Sequence, residues 1–249
     1  MFEWYWFFLF YAIIFHLNMM AMSLYVHRTV AHNMFKLSKP LEYFFRVVLW
    51  LSDMLPRSSR WAEYFAARHR KHHVFSDTKD DPQSPHHMTL KEMAHSYTFN
   101  EDDIAKYSSE IKTPNDWLQR VLQEKYRYLG PWLKIVVSGL LFGVIGGLIY
   151  WAFHYFKINS FLTNFIGGYA IHKIGFRYAG NRNKHDRSTI LFPVGILLAG
   201  EELHANHHND SKSPNFRKKW FEFDMGYVYA VILSKFKLLT INDYKQGKT

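Results

Sequence analysis

The 249-residue chain contains no cysteine. That absence excludes a disulfide framework, a thiolate zinc site, an iron–sulfur cluster and a cysteine nucleophile, so any metal must be held by imidazole and oxygen. Acidic residues are in short supply, 21 Asp and Glu against 31 Lys and Arg, for a formal charge of +10. No nucleic-acid motif accompanies that charge, and the basic residues alternate with aromatics and acids. A cationic skirt against anionic lipid heads, or an ordinary solubilising surface, accounts for it better. Glycine-rich dinucleotide fingerprints, internal repeats, low-complexity tracts and a fused haem domain are all missing too. What is abundant is aromatic surface, with 22 Phe, 16 Tyr and 8 Trp, and histidine, with 15 residues. The aromatics suit a protein whose apolar surface meets lipid.

By length the chain is a single domain, 1–249. Residues 4–26 are almost uncharged and long enough to cross a bilayer, which needs about 20 apolar residues. They lack a basic leader and a small-residue cleavage site, and so read as a retained helix. Residues 41–55 are apolar but short and carry Arg46, which favours an interfacial helix. A second, Gly-rich span is expected at 131–153 and a third, weaker one at 159–179. Residues 27–130 and 180–249 read as a polar helical cap. The expected fold is therefore all-α, membrane helices beneath a cap. Arg28, Lys36 and Lys39 follow the first span while only Glu3 precedes it, which puts the cap in the cytoplasm.

Four histidine elements stand at the membrane boundaries: His27 with His32; His69, His72 and His73; the isolated His172; and His204, His207 and His208. On a helix, positions i, i+3 and i+4 share a face, so each HxxHH box offers several imidazoles to one side. The i, i+5 spacing of His27 and His32 does not, and is expected to work because the helix ends between them. Nine nitrogen ligands are too many for one metal and suit two. Imidazole serves iron, copper, zinc and nickel; redox chemistry on a hydrocarbon favours iron, with zinc left open. His16 and His154, near apolar sequence, read as satisfied packing residues. His86, His87, His95 and His185 read as solvated groups or local hydrogen-bonders.

HRTVAH, HRKHH followed by FSDTKDDPQSP, and EELHANHH together resemble the membrane acyl-CoA (Δ9-type) fatty-acid desaturases, the bacterial branch most. The likeness runs on through FFRVVLWL, TPNDW, LFGVIG and KKWFEFDMGY. It implies a di-iron centre held by the nine histidines named above, O2 as oxidant, and electrons from a separate carrier of ferredoxin, rubredoxin or cytochrome type. It further implies that Asp77, Asp81 and Glu201 support the ligands from behind. Three departures stand out. Gly168 occupies a position where the family has an Asn that holds a water near one metal. Phe65 replaces the Trp four residues before the second box, with Trp61 further back. A single span precedes HRTVAH, where two are usual.

The expected reaction is O2-dependent insertion of a double bond into a long acyl chain, presented as a thioester or within a lipid, at a bacterial inner membrane. The same boxes also support hydroxylases, acetylenases and decarboxylases that form terminal alkenes, and a non-enzymatic metal- or haem-binding membrane protein is the remaining class. On the first helix Tyr11, Phe15, Met19, Ser23 and His27 recur at i+4. Tyr11 and Phe15 are expected to set the floor of an acyl tunnel, against an equally ordinary packing role.

Overall fold

The computed structural model describes residues 4–54, 58–95, 100–156, 158, 161–162, 165–178, 183–191 and 195–243. The architecture is helical, with one short antiparallel pair, β1 (Phe35–Leu37) against β2 (Leu239–Ile241), in the register Phe35↔Ile241. That pair ties the chain just after the first histidine box to the C-terminal region.

Helix α1 (Trp4–Ala21) is the apolar segment expected at the N-terminus. It does not stop at the membrane boundary but widens without a break into a π-helical segment, Met22–Ala31. A π-helix closes its hydrogen bonds from i to i+5, and the His32 N–H donates to the His27 carbonyl at 3.2 Å. Residues five apart are thereby stacked: the His27 and His32 rings lie 5.0 Å apart. The helix does end between the two residues, at Ala31, as expected; what the sequence did not show is the wide winding of its last turns.

Helix α2 (Lys39–Leu51) starts after Ser38 with Pro40 in its first turn, where a missing N–H costs nothing. It buries Leu41, Phe45, Leu49 and Trp50. Arg46 is also buried, and its fork is met by both oxygens of Asp116 at 2.7 and 2.8 Å. Helix α3 (Trp61–Phe75) carries the second box, and packs on the π-helical segment and on α4 (Glu101–Tyr107). The core beneath the site is formed by Leu24, Tyr25, Phe35, Phe45, Trp61 and Phe216.

The apolar stretch Leu129–Tyr155 is helical throughout except at Gly143, whose φ of 72° and ψ of 178° only glycine adopts without strain. There the chain reverses. The Ser138 hydroxyl donates to the Gly146 carbonyl at 3.1 Å, and the Lys134 ammonium lies 5.4 Å from the Tyr150 ring. Eight or more residues of straight helix would hold these groups at least about 12 Å apart. Gly139 and Gly147 face each other across the two arms, so close that a Cβ on Gly147 would sit 3.2 Å from the Gly139 Cα. The single span expected at 131–153 is thus a helical hairpin. Its longer arm, 129–142, is about 21 Å long, short of the roughly 30 Å hydrocarbon core. The tip exposes Leu140 (81%) and Val144 (77%). By composition the stretch passes as a span; the glycines that gave it that look are what let it fold back.

Of the third span expected at 159–179, residues 159–160, 163–164 and 179 lie outside the described residues. The described part is helical at 161–162, π-helical over Phe165–Ala170, and ends in a short turn, Ile171–Lys173, that delivers His172. The last box lies on α5 (His204–Asn209), and α6 (Met225–Lys235) follows, its first turn capped by the Asp224 carboxylate on the Tyr227 N–H.

Candidate metal centre

The nine boxed histidines converge into two groups. His27, His32, His69, His73 and His207 bring ligand nitrogens within 4.8 Å of one another, and so do His72, His172, His204 and His208. The two HxxHH boxes divide between the groups in opposite senses. On α3 the i, i+4 pair His69 and His73 goes to the first group, and His72 to the second. On α5 the pair His204 and His208 goes to the second, and His207 to the first. Each box therefore spans both groups, which a one-sided reading of HxxHH did not foresee.

Behind the rings stand carboxylates. His27 Nδ1 donates to Glu201 at 2.7 Å, His72 Nδ1 to Asp81 at 2.9 Å, and His172 Nδ1 to Asp77 at 2.8 Å. His208 Nδ1 donates to Asp186 at 3.0 Å. The three acidic residues named from the sequence each accept from a boxed histidine. Asp186 was missed: it lies in KHDRS, remote from every box in sequence, and only the fold brings it to His208. Its carboxylate also accepts from the Ser76 and Ser188 hydroxyls.

These bonds fix the tautomers. A ring whose Nδ1 carries the donated proton presents a bare lone pair at Nε2. Yet the Nε2 atoms crowd together, His27 to His207 at 3.0 Å, His32 to His69 at 2.8 Å and His72 to His208 at 3.2 Å. The buried His172 Nε2 has no hydrogen-bond partner among the described residues. Converging lone pairs repel unless a cation lies between them, so the donor set fits a metal ion in each group. Burial and the neighbouring imidazoles hold the His32, His69, His73, His204, His207 and His208 rings well below the usual imidazole pKa. They stay neutral and available as ligands. Burial pushes the Asp77 carboxyl up, but its bond from His172 outweighs that, and the net shift is downward. At Glu201 burial is likewise outweighed, by His27 and Arg28. Four carboxylates thus stand behind the rings of the two groups.

The next residue behaves oppositely. Glu202 is buried without a partner for Oε2, and burial pushes its carboxyl up to about 8, which keeps it protonated at neutral pH. Just before both, the chain turns at Gly200 (φ 90°), where a Cβ would lie 2.1 Å from Asp224 Oδ1 and 2.6 Å from Arg28 Nη2. Only glycine leaves room for the buried Arg28–Asp224 pair (2.9 Å), which clamps this loop against the π-helical segment.

The remaining sequence expectations sort by position. His86 reaches the His172 carbonyl at 3.0 Å and His87 the Asp77 carbonyl at 3.2 Å, so both brace the second group from outside. His16 hydrogen-bonds with the Tyr229 hydroxyl at 2.7 Å, a satisfied packing residue. The His95 side chain lies outside the described residues. Phe65 stacks flat on His69, with centroids 5.7 Å apart. A Cβ at Gly168 would meet the Met93 methyl at 3.1 Å, so a buried thioether fills the space beside that glycine. Tyr11 packs on Tyr150 and Phe153 of the hairpin.

Residues 3–217 match the family described as fatty acid desaturase. The chain belongs to that family. As a desaturase-family protein it is 28% identical over 239 residues to the sn-1 stearoyl-lipid 9-desaturase of Anabaena variabilis, covering 89% of this chain and 78% of the relative. It is 27% identical over 223 residues to the acyl-CoA C20 Δ5-desaturase of Anemone leveillei, covering 88% and 67%. A third relative is the hex-5-enoyl-(acyl-carrier protein) acetylenase of Moorena producens, 25% identical over 237 residues, covering 90% and 72%. These relatives differ in acyl carrier and in product, while the chemistry they share is oxidation of a fatty acyl chain.

Proposed function

We propose that the chain is a membrane-bound di-iron desaturase that removes two hydrogens from adjacent methylenes of a long-chain fatty acyl group. The observation that carries this is the pair of imidazole groups with converging Nε2 atoms. Bonds of about 2.1 Å at right angles separate neighbouring ligand nitrogens by about 3.0 Å, whereas a tetrahedral ion separates them by about 3.4 Å. The Nε2 spacings around the first group are 2.8–3.0 Å. Five imidazoles at such spacing suit a five- or six-coordinate ion, hence iron over the closed four-coordinate site typical of zinc.

The balance of the reaction sets what must arrive. Two C–H bonds break and a C=C bond forms, which releases two electrons and two protons. O2 takes up four electrons and four protons to become two waters. Two electrons are therefore supplied from outside by a carrier protein, and two protons by solvent. Bound iron supplies the oxidising power to attack an unactivated methylene, which no side-chain acid or base has. The residues of the chain do the rest. Asp77, Asp81, Asp186 and Glu201 hold the imidazole tautomers, Gly200 and the Arg28–Asp224 pair hold Glu201 in place, and apolar helices keep water from the acyl chain.

The nine histidines serve as ligands, and Tyr11 and Phe15 mark the far end of the acyl path from His27. Lys36 and Lys39 after α1 support a cytoplasmic cap at a bacterial inner membrane. The acetylenase among the relatives favours a neighbouring outcome, dehydrogenation of an existing alkene. The test is expression with an electron donor and profiling of total fatty acids by gas chromatography–mass spectrometry, with His72→Ala as control. A new unsaturated species absent from the control supports the reading. A hydroxylated product, or no product from protein shown to hold iron and supplied with lipid-, CoA- and carrier-protein-linked acyl groups, overturns it.

A further inference from the structure

The cap is electrically two-sided. Between Asp77 and Asp116 lie nine acidic residues and four Lys or Arg, whereas between Lys173 and Lys219 lie nine Lys or Arg and four acids. In the second segment Asp186, Glu201 and Glu202 are turned inward, which leaves Asp210 as its outward acid. The basic face ends in an exposed loop, Arg217-Lys218-Lys219-Trp220-Phe221. Trp220 is 83% exposed, and Phe223 projects beside it at 47%. Lys218 is partly offset by Asp210 at 3.2 Å. Arg217 and Lys219 have no carboxylate partner among the described residues; Arg217 instead braces the loop through the Lys219 and Trp220 carbonyls.

This loop is fastened to the metal centre at two points. Phe216 is fully buried, and its ring lies 4.4 Å from that of His207. The Glu222 carboxylate accepts from the Lys218 and Lys219 N–H groups and from the Asn206 amide, at 2.6–2.9 Å. Asn206 sits on α5 between His204 and His207, and its amide also donates to the Phe216 carbonyl.

We propose that this loop and the basic face around it are the landing site of an acidic one-electron carrier protein, with Phe216 and His207 at its inner end. The inference deepens the desaturase reading, which needs two electrons from outside. Complementary charge steers an acidic partner to this face, and the effect weakens with salt. The contiguity with His207 is what a carrier needs and a lipid contact does not.

The test uses iron-loaded protein in nanodiscs with a plant-type [2Fe–2S] ferredoxin as the acidic probe. Binding and anaerobic reduction are measured for wild type, the Arg217→Glu/Lys219→Glu double variant and Trp220→Ala. The expected result is at least tenfold weaker ferredoxin binding at low salt for the double variant, with its salt dependence flattened. Trp220→Ala, which alters a surface side chain alone, is expected to slow ferredoxin-driven reduction more than tenfold. Reduction by dithionite stays unchanged in all three. Equal ferredoxin binding by wild type and both variants overturns the proposal, as does a loss confined to association with anionic-lipid discs. Failure of dithionite to reduce the wild type counts against the di-iron reading instead, and the binding arm still decides the docking face.

Discussion

The two imidazole groups are built from the same parts in different proportions. The first has five rings and one carboxylate behind them, Glu201; the second has four rings and three carboxylates, Asp77, Asp81 and Asp186. Fewer ligands are thus compensated by more strongly polarised ones, since a carboxylate on Nδ1 raises the donor strength of Nε2. The difference teaches that the centre is not a symmetric pair. Its first position is set by ligand number and its second by the charge behind the ligands.

Removing a ligand tests that difference most severely. His204→Ala leaves three rings at the second position and is expected to release its ion, with a loss of affinity beyond the 10–100-fold typical of supporting residues. His32→Ala leaves four rings at the first position and retains its ion more weakly. Chelator competition on the purified proteins separates the two outcomes, and equal losses contradict the asymmetry. Next come the carboxylates. Asp186→Asn and Asp77→Asn are each expected to weaken the second position by about 10–100-fold. Glu201→Gln weakens the first by less, since four of its five rings do not rely on that residue. The same titration reads both.

Acid sharpens the comparison further. In the metal-free chain six rings titrate below the unfolded imidazole value, four of them in the first group and two in the second. A histidine with a lowered folded pKa binds its proton more readily when unfolded. Stability is therefore full above about pH 6.5 and falls as pH drops below it. Melting temperatures of metal-free protein from pH 7.5 to 5 are expected to fall, and less steeply after His69→Gln. The smallest effect is remote. Gly143→Ala strains the hairpin turn by about 1–3 kcal/mol and leaves metal affinity at both positions unchanged. A thermal shift with unchanged metal content checks it.

Much of this was legible in the residues. Eight of the nine histidines announced themselves by spacing, His172 by its place near the inner end of a span, and Asp77, Asp81 and Glu201 by the family resemblance. Three features were hidden for identifiable reasons. Asp186 is distant from every box in the chain. The π winding of Met22–Ala31 follows from tertiary fit and has no period in the sequence. The hairpin in 129–155 shares its composition with a straight span, because hydropathy ignores direction and a glycine at a reversal looks like one in a helix. The division of each HxxHH between two ions also needed the fold, since helix geometry says which rings share a face but not how many ions face them.

That division is tested most directly with two neighbours in sequence, His72 and His73. Iron-57 Mössbauer spectra and iron content would be compared for wild type, His72→Ala and His73→Ala. The account predicts two inequivalent irons in the wild type, with His72→Ala disturbing one signal and His73→Ala the other. A single iron in the wild type, or the same signal disturbed by both substitutions, would contradict it.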